Sequence, residues 1–355
     1  MFASRLPLEN LSAPEKILFE GIEKEVMDFI SKKIYSEGNP CFISSFDYKE
    51  IDSLQGISSP LVNVHKVNDA RYLNKFFETI NAKLPEGGIF VGKVEEYNSR
   101  KLRLGQRNPK ALLYITLPGD ILFNRVFPRL KSTRKIYFAL TKGKGRVLSR
   151  AETFGRLYSC GFEVIDEKEI NNELYFIAQK IKAPYFDTSP SYGPFIKLRR
   201  VGKDGKPINV YKLRTMHPFS EYLQEFIFKK NELQEGGKFK NDFRISREGK
   251  IFRKIWLDEL PMIINLIRGE MKIVGVRPLS TQYFNLYTKE LQTKRTKTKP
   301  GLLPPFYADM PKTLEEIMAS EMKYLEAYEK APFQTDMKYF WLAVKSILFK
   351  GARSN

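Results

Sequence analysis

Cysteine and histidine are scarce in this chain of 355 residues: two of each, and two tryptophans. Cys41 and Cys160 stand far apart and form no CxxC pattern, which reads as two free thiols rather than a disulfide framework. His65 and His217 are too few for a zinc site built on His and Cys, and no GxSxG elbow accompanies them to suggest a Ser–His nucleophile. No stretch approaches about 18 consecutive apolar residues, so no helix is expected to span a bilayer. The N-terminus, MFASRLPLENLSAPEK, lacks the apolar core of a signal peptide. A cytoplasmic protein without a transmembrane helix is the expectation, peripheral on the inner face of the membrane if attached to it at all. Acid is also in short supply. There are 41 Asp+Glu against 60 Lys+Arg, a net charge of +19. That excess favours polyanionic partners: nucleic acid, phosphorylated substrates or an anionic membrane surface. No nucleic-acid motif is present, so nucleic acid is not expected.

Two domains are the expectation for this length: residues 1–182, a linker 183–192 rich in Pro, Ser and Tyr, and residues 193–355. In the first, Leu18, Ile22, Val26, Phe29 and Ile30 recur at helical spacing. Strands are expected at Cys41–Phe46, Val62–Val67, Ile89–Val94, Phe162–Ile165 and Leu174–Ala178. Asn68 is placed to cap a helix running to about Leu84. Ser149 and Glu152 form a capping box for another, with Gly161 as its stop. Between Asp120 and Arg150, apolar and basic residues interleave around Pro128. That composition suits either an element at a membrane surface or a solvated helix packed on its own domain.

The second domain carries ordered blocks. They are Gly193-Pro194-Phe195, Arg200 to Gly205, Tyr211-Lys212-Leu213-Arg214-Thr215-Met216, Asp242-Phe243-Arg244-Ile245-Ser246, Leu257-Asp258-Glu259-Leu260-Pro261, Gly269 to Pro278, and Lys299-Pro300-Gly301. Asp204-Gly205 is a hairpin signal. Lys212 and Arg214 are two apart on a strand, hence on one face. Asp258-Glu259-Leu260-Pro261 is also a helix start: proline fits the first turn and the acids complement the helix dipole. Thr313 and Glu316 form a further capping box. Met337–Phe349 reads as a terminal apolar helix whose Phe340, Trp341, Val344, Ile347 and Leu348 suit either docking on the core or grazing a membrane, the core being the expectation.

Together these blocks resemble the bacterial sugar transferase family, the monotopic polyprenyl-phosphate phosphoglycosyltransferases. The first domain resembles, by pattern alone, the second half of a methyltransferase-like Rossmann domain. It lacks the glycine-rich loop, since Ser44-Ser45-Phe46-Asp47-Tyr48 follows its first strand, and no S-adenosylmethionine site is expected. The fold class implied is α/β: a partial Rossmann-like domain of scaffolding or partner-binding role, then a mixed, helix-rich α/β catalytic domain. The resemblance implies transfer of a sugar-1-phosphate from a UDP-sugar to a polyprenyl phosphate, starting polysaccharide assembly. Asp258 would be the nucleophile and Glu259 a ligand to Mg²⁺. Lys212, Arg214, Arg244, Arg253 and Arg277 would neutralise phosphate charge. The chain departs from the family at Val276, where proline is usual, after Pro300-Gly301, and before Gly193, where the family's apolar membrane helix is replaced by polar residues. Contact with the lipid through a peripheral surface or a membrane-bound partner would follow. A non-catalytic module that binds nucleotide sugar or lipid phosphate is the alternative.

Overall fold

The computed structural model describes residues 24–34, 40–55, 60–186, 193–224, 226–227, 233–234, 238–239 and 242–349. Leu18 and Ile22, and most of the expected linker, lie outside these. The fold is mixed α/β, and the chain divides into two compact units: Met1–Tyr192 with Pro218–Glu225, and Gly193–His217 with Phe226–Asn355.

The first unit is built on a five-stranded sheet: β1 (Cys41–Ile43), β2 (Leu61–Lys66), β3 (Ile89–Val94), β4 (Phe162–Ile170) and β5 (Glu173–Lys180). Their spatial order is β1-β2-β3-β5-β4. The first three are parallel, while β5 runs antiparallel to both β3 and β4. β4 and β5 form a hairpin longer than the sequence pattern suggests. Asn171 and Asn172 at its tip both have positive φ, 47° and 63°, the conformation a two-residue hairpin turn needs and asparagine tolerates. Alternation along the strands feeds two cores. Phe90 and Phe176 meet at 5.7 Å between centroids, with Phe77, Phe154 and Phe162 buried around them. Val91 and Ile177, one residue along, join Val26, Phe29 and Ile30 of helix Lys24–Ile34 in a separate cluster.

Helix Arg150–Ser159 starts as expected, with Ser149 Oγ accepting from Glu152 N, and Gly161 follows in the left-handed region. The expected cap at Asn68 is corrected. The helix begins at Leu73, and Asn68 is fully buried upstream of it. Its side chain donates to the carbonyls of Glu95 and Arg146 and accepts from Glu95 N at 2.7 Å. A buried amide that satisfies three backbone groups is worth more there than at a solvated helix end. The basic, apolar stretch starts at the end of helix Lys110–Ile121, continues as a π-helical segment, Leu122–Val126, and a short 3₁₀ turn, Phe127–Arg129, around Pro128, and then forms helix Arg134–Thr141. Phe219 and the 3₁₀ turn Ser220–Leu223 pack on helix Arg150–Ser159: a Cβ on Gly155 would sit 2.2 Å from the Phe219 carbonyl oxygen.

The second unit opens with hairpin β6 (Phe195–Val201) and β7 (Pro207–Leu213), turned at Asp204 and Gly205, both of positive φ. Short helices follow, then a parallel pair of strands, Lys272–Val274 and Gly301–Leu303. Gly275 and Gly301 allow that pair to close, because a Cβ on Gly301 would lie 2.1 Å from Gly275 N. Helices Leu314–Lys330 and Pro332–Phe349 complete the unit. Thr313 caps the former as expected. The latter buries Tyr339, Ala343 and Ser346. Trp341 and Leu348, expected on the core, are instead 62% and 69% exposed.

Candidate active site

The carboxylate pair lies on a 3₁₀ turn, Leu257–Met262, which only then passes into helix Ile263–Ile267. Trp256 enters the turn with φ of 62°. Asp258 and Glu259 are therefore inside a tight turn rather than at an α-helix cap, and both are buried, at 5% and 8% exposure. Glu259 Oε1 meets Lys212 Nζ at 2.7 Å. Asp258 Oδ1 is buried and takes no hydrogen bond among the described residues.

What holds β7 against this turn is Asn265, which the sequence reading passed over. Completely buried, it accepts from Tyr211 N at 3.1 Å and donates to the Asn209 carbonyl at 2.7 Å and to Glu270 Oε2 at 2.6 Å. Lys212 follows Tyr211 directly, so Asn265 fixes the strand that brings the lysine to Glu259.

The arginines separate into groups. Arg253 Nε donates to Thr215 Oγ1 at 3.0 Å. Burial pulls its pKa down, opposed by the charges of Asp258 and Asp242 and reinforced by Arg244 and Arg277. These residues thus share one electrostatic neighbourhood. Thr215 is held by Gly249, whose absent side chain leaves room for the Thr215 carbonyl 2.0 Å from where a Cβ would stand. Arg244 is committed to Asp242, with three contacts of 2.7–3.1 Å between buried side chains. Arg277 is exposed. Its carbonyl accepts from Arg295 Nη2, and Arg295 is ion-paired with buried Glu321. Burial lowers the Arg295 pKa to about 10. Val276, in place of the family's proline, is buried, and its carbonyl accepts from Gly301 N at 2.9 Å. Arg200, absent from the expected site, lies beside Arg277: burial first, then the Arg277 charge, lowers its pKa. Arg214 Nε donates to the Gly193 carbonyl at 3.0 Å.

Asp258 is raised above the ordinary carboxyl range. Burial is the main cause and Glu259 adds to it, while Lys212 and Arg253 pull the other way. At Asp258 two cations thus work against desolvation. The arrangement suits a nucleophilic carboxylate poised beside cations that can take up phosphate charge.

Comparison with known proteins bears on this stretch. Residues 181–350 match the bacterial sugar transferase family model. This stretch is a bacterial sugar transferase domain. The chain is 36% identical over 115 residues to a Klebsiella pneumoniae protein named UDP-glucose:undecaprenyl-phosphate glucose-1-phosphate transferase, covering 32% of this chain and 23% of that one. It is 30% identical over 162 residues to the galactosyl transferase CpsE of Streptococcus agalactiae (44% of this chain, 35% of that one). It is 35% identical over 108 residues to the uncharacterized sugar transferase EpsL of Bacillus subtilis (30% and 47%). The chain thus spans less than half the length of these relatives. No helix among the described residues is long and apolar enough to cross a membrane.

Proposed function

We propose that the second unit transfers a sugar-1-phosphate from a UDP-sugar to a polyprenyl phosphate through Asp258. The observation that carries this is the buried Asp258–Glu259 turn opposed by Lys212 and Arg253 within a sugar transferase domain. In the first step an Asp258 oxygen attacks the β-phosphorus of the donor. The Asp258 O–P bond forms, the bond from that phosphorus to the bridging oxygen breaks, and UMP leaves with the electron pair. In the second, a polyprenyl phosphate oxygen attacks the same phosphorus and Asp258 is released as carboxylate. Arg253, with Arg277 and Arg200, would bear the charge that builds on the phosphoryl oxygens. Arg244 would act indirectly, through its pair with Asp242, whose charges both bear on Arg253.

Among the described residues no group of three or more His, Cys, Asp or Glu could hold a metal unaided. Magnesium, however, needs only one or two carboxylates when substrate phosphates complete its shell, and the unpartnered Asp258 Oδ1 beside Glu259 fits that demand. Glu259 would hold the ion, exchanging its contact with Lys212. The ion would supply Lewis-acid polarisation of the diphosphate.

The acceptor implies a membrane. Supporting a peripheral approach, Leu260, Ile263 and Ile267 on the site's own turn and helix are 55%, 42% and 82% exposed. Phe333, Trp341 and Phe349 are exposed on the last helix. We read the first unit as a Rossmann-like scaffold, supported by its parallel β1-β2-β3 and the inserted antiparallel β5. The test is UMP release from UDP-sugars with Mg²⁺, a polyprenyl phosphate and vesicles. Release is expected from the wild type and not from Asp258→Asn. Equal release from both would remove Asp258 from the chemistry.

A further inference from the structure

The first unit contains a cleft of about 520 Å³ that the transferase reading leaves unused. Its walls are the first turn of helix Leu73–Lys83, the Arg146–Leu148 stretch, helix Arg150–Ser159 and part of segment 124–138. Seven lining side chains are cationic and two are carboxylates. One carboxylate is already committed: Glu152 is ion-paired with Arg129 and Arg156, and those cations overcome its burial to hold its pKa at about 2. The other, Glu78, is raised by burial. Arg71, Lys75 and Arg134 are exposed around the cleft. So many like charges around one concavity repel one another. A fold that keeps them together favours an anion between them.

The charge selects the ligand class. The three exposed cations of the lining, Arg71, Lys75 and Arg134, match a ligand with two phosphates better than a single phosphate dianion. That first turn adds to this, because helix Leu73–Lys83 starts at Tyr72 with no side-chain cap, leaving first-turn N–H groups for an anion. Tyr72, 54% exposed, offers aromatic surface at the same place. The volume suits a nucleotide-sized molecule.

We propose that this cleft binds a small organic diphosphate of the nucleoside-diphosphate class, at a site separate from the Asp258–Glu259 carboxylates. None of its lining residues belongs to the transferase unit. Nor does it include Ser44 to Tyr48, the loop after the first strand. An anionic membrane surface fits less well. Arg134 and Phe138, four residues apart, line the cleft, while the exposed Ile136 and Leu140 lie nearly half a turn away on the same helix. An interfacial helix rests on the membrane by an open, convex face, whereas these cations line a concavity.

The experiment is calorimetric titration of the full chain with UDP, pyrophosphate and inorganic phosphate at about 0.15 M salt, where surface charge is screened. Wild type is compared with the double variant Lys75→Ala/Arg134→Ala, with Arg134→Gln alone, and with Lys212→Ala/Arg277→Ala. Because Lys75 and Arg134 are exposed, these replacements leave the core intact, and circular dichroism verifies it. Pyrophosphate is expected to bind wild type at least about tenfold more tightly than phosphate, as charge-assisted contacts double. The cleft double variant should weaken pyrophosphate binding by about tenfold or more, and Arg134→Gln by part of that. The Lys212/Arg277 variant should retain it. UDP should titrate two sites in wild type and one in the cleft variant, which keeps its UMP release. Unchanged pyrophosphate binding in both cleft variants overturns the proposal. So does cleft-dependent capture by phosphatidylglycerol vesicles without binding of any soluble phosphate. The pyrophosphate arm does not depend on turnover, so failure of the transferase reading would register separately as absent UMP release.

Discussion

Replacing Lys212 by methionine tests the electrostatic balance of the site most sharply. The Lys212 and Glu259 side chains are 19% and 11% exposed and meet at 2.7 Å. Removing one partner of a largely buried pair strands the other charge, a loss of about 3–5 kcal/mol when burial is complete. The residual exposure here puts the expected loss near the lower end, about 3 kcal/mol. The second effect is on Asp258, because Lys212 is the largest influence lowering its pKa. The proposed phosphoryl transfer requires the carboxylate, so activity is expected to fall as pH drops through the Asp258 pKa. Without Lys212 that acid limb moves to higher pH. Urea unfolding measures the first effect and the pH dependence of kcat/KM for UMP release the second. Adding Glu259→Gln to Lys212→Met should recover most of the lost stability, since the stranded charge is then gone. A stability loss below about 1 kcal/mol, together with an acid limb that does not move, would refute this account of the pair.

Asp258→Asn should be more stable than wild type at pH 7. A carboxyl raised by burial favours its protonated form in the folded state, so wild type loses stability as pH rises through that pKa. The difference should vanish towards pH 3, as followed by thermal melts. Gly301→Ala should cost about 2 kcal/mol or more, because its methyl would enter the Gly275 backbone; urea midpoints measure it. Arg295→Met should destabilise by about 3 kcal/mol or more by stranding Glu321. It should also raise the KM for UDP-sugar, since the Arg277 carbonyl loses its anchor.

Features that announce themselves within a few residues could be read from the sequence. The Ser149–Glu152 and Thr313–Glu316 capping boxes and the Asp204-Gly205 turn form as their local chemistry dictates. The order of β3, helix, β4 and β5 was also legible, because period-two and period-3.6 patterns change there. Asn68 and Asn265 were misread or missed for one reason: each satisfies backbone groups distant in sequence, and a lone asparagine carries no periodic signal. Partners of the arginines were equally hidden. Asp242 stands two residues from Arg244 and could have been suspected, but Glu321 lies 26 residues from Arg295 and is joined to it only by the packing of helix Leu314–Lys330. The exposed Trp341 and Leu348 show the limit of hydrophobicity as a guide: the last helix is apolar on more faces than it buries.

The central claim is that Asp258 carries the phosphosugar. The direct measurement is mass spectrometry of the protein quenched in acid after incubation with a UDP-sugar and Mg²⁺ but no lipid acceptor. A sugar-phosphate increment is expected on the peptide containing Asp258, lost when polyprenyl phosphate is added and absent in Asp258→Asn. UMP release with that peptide unmodified, or the same increment in Asp258→Asn, would contradict it.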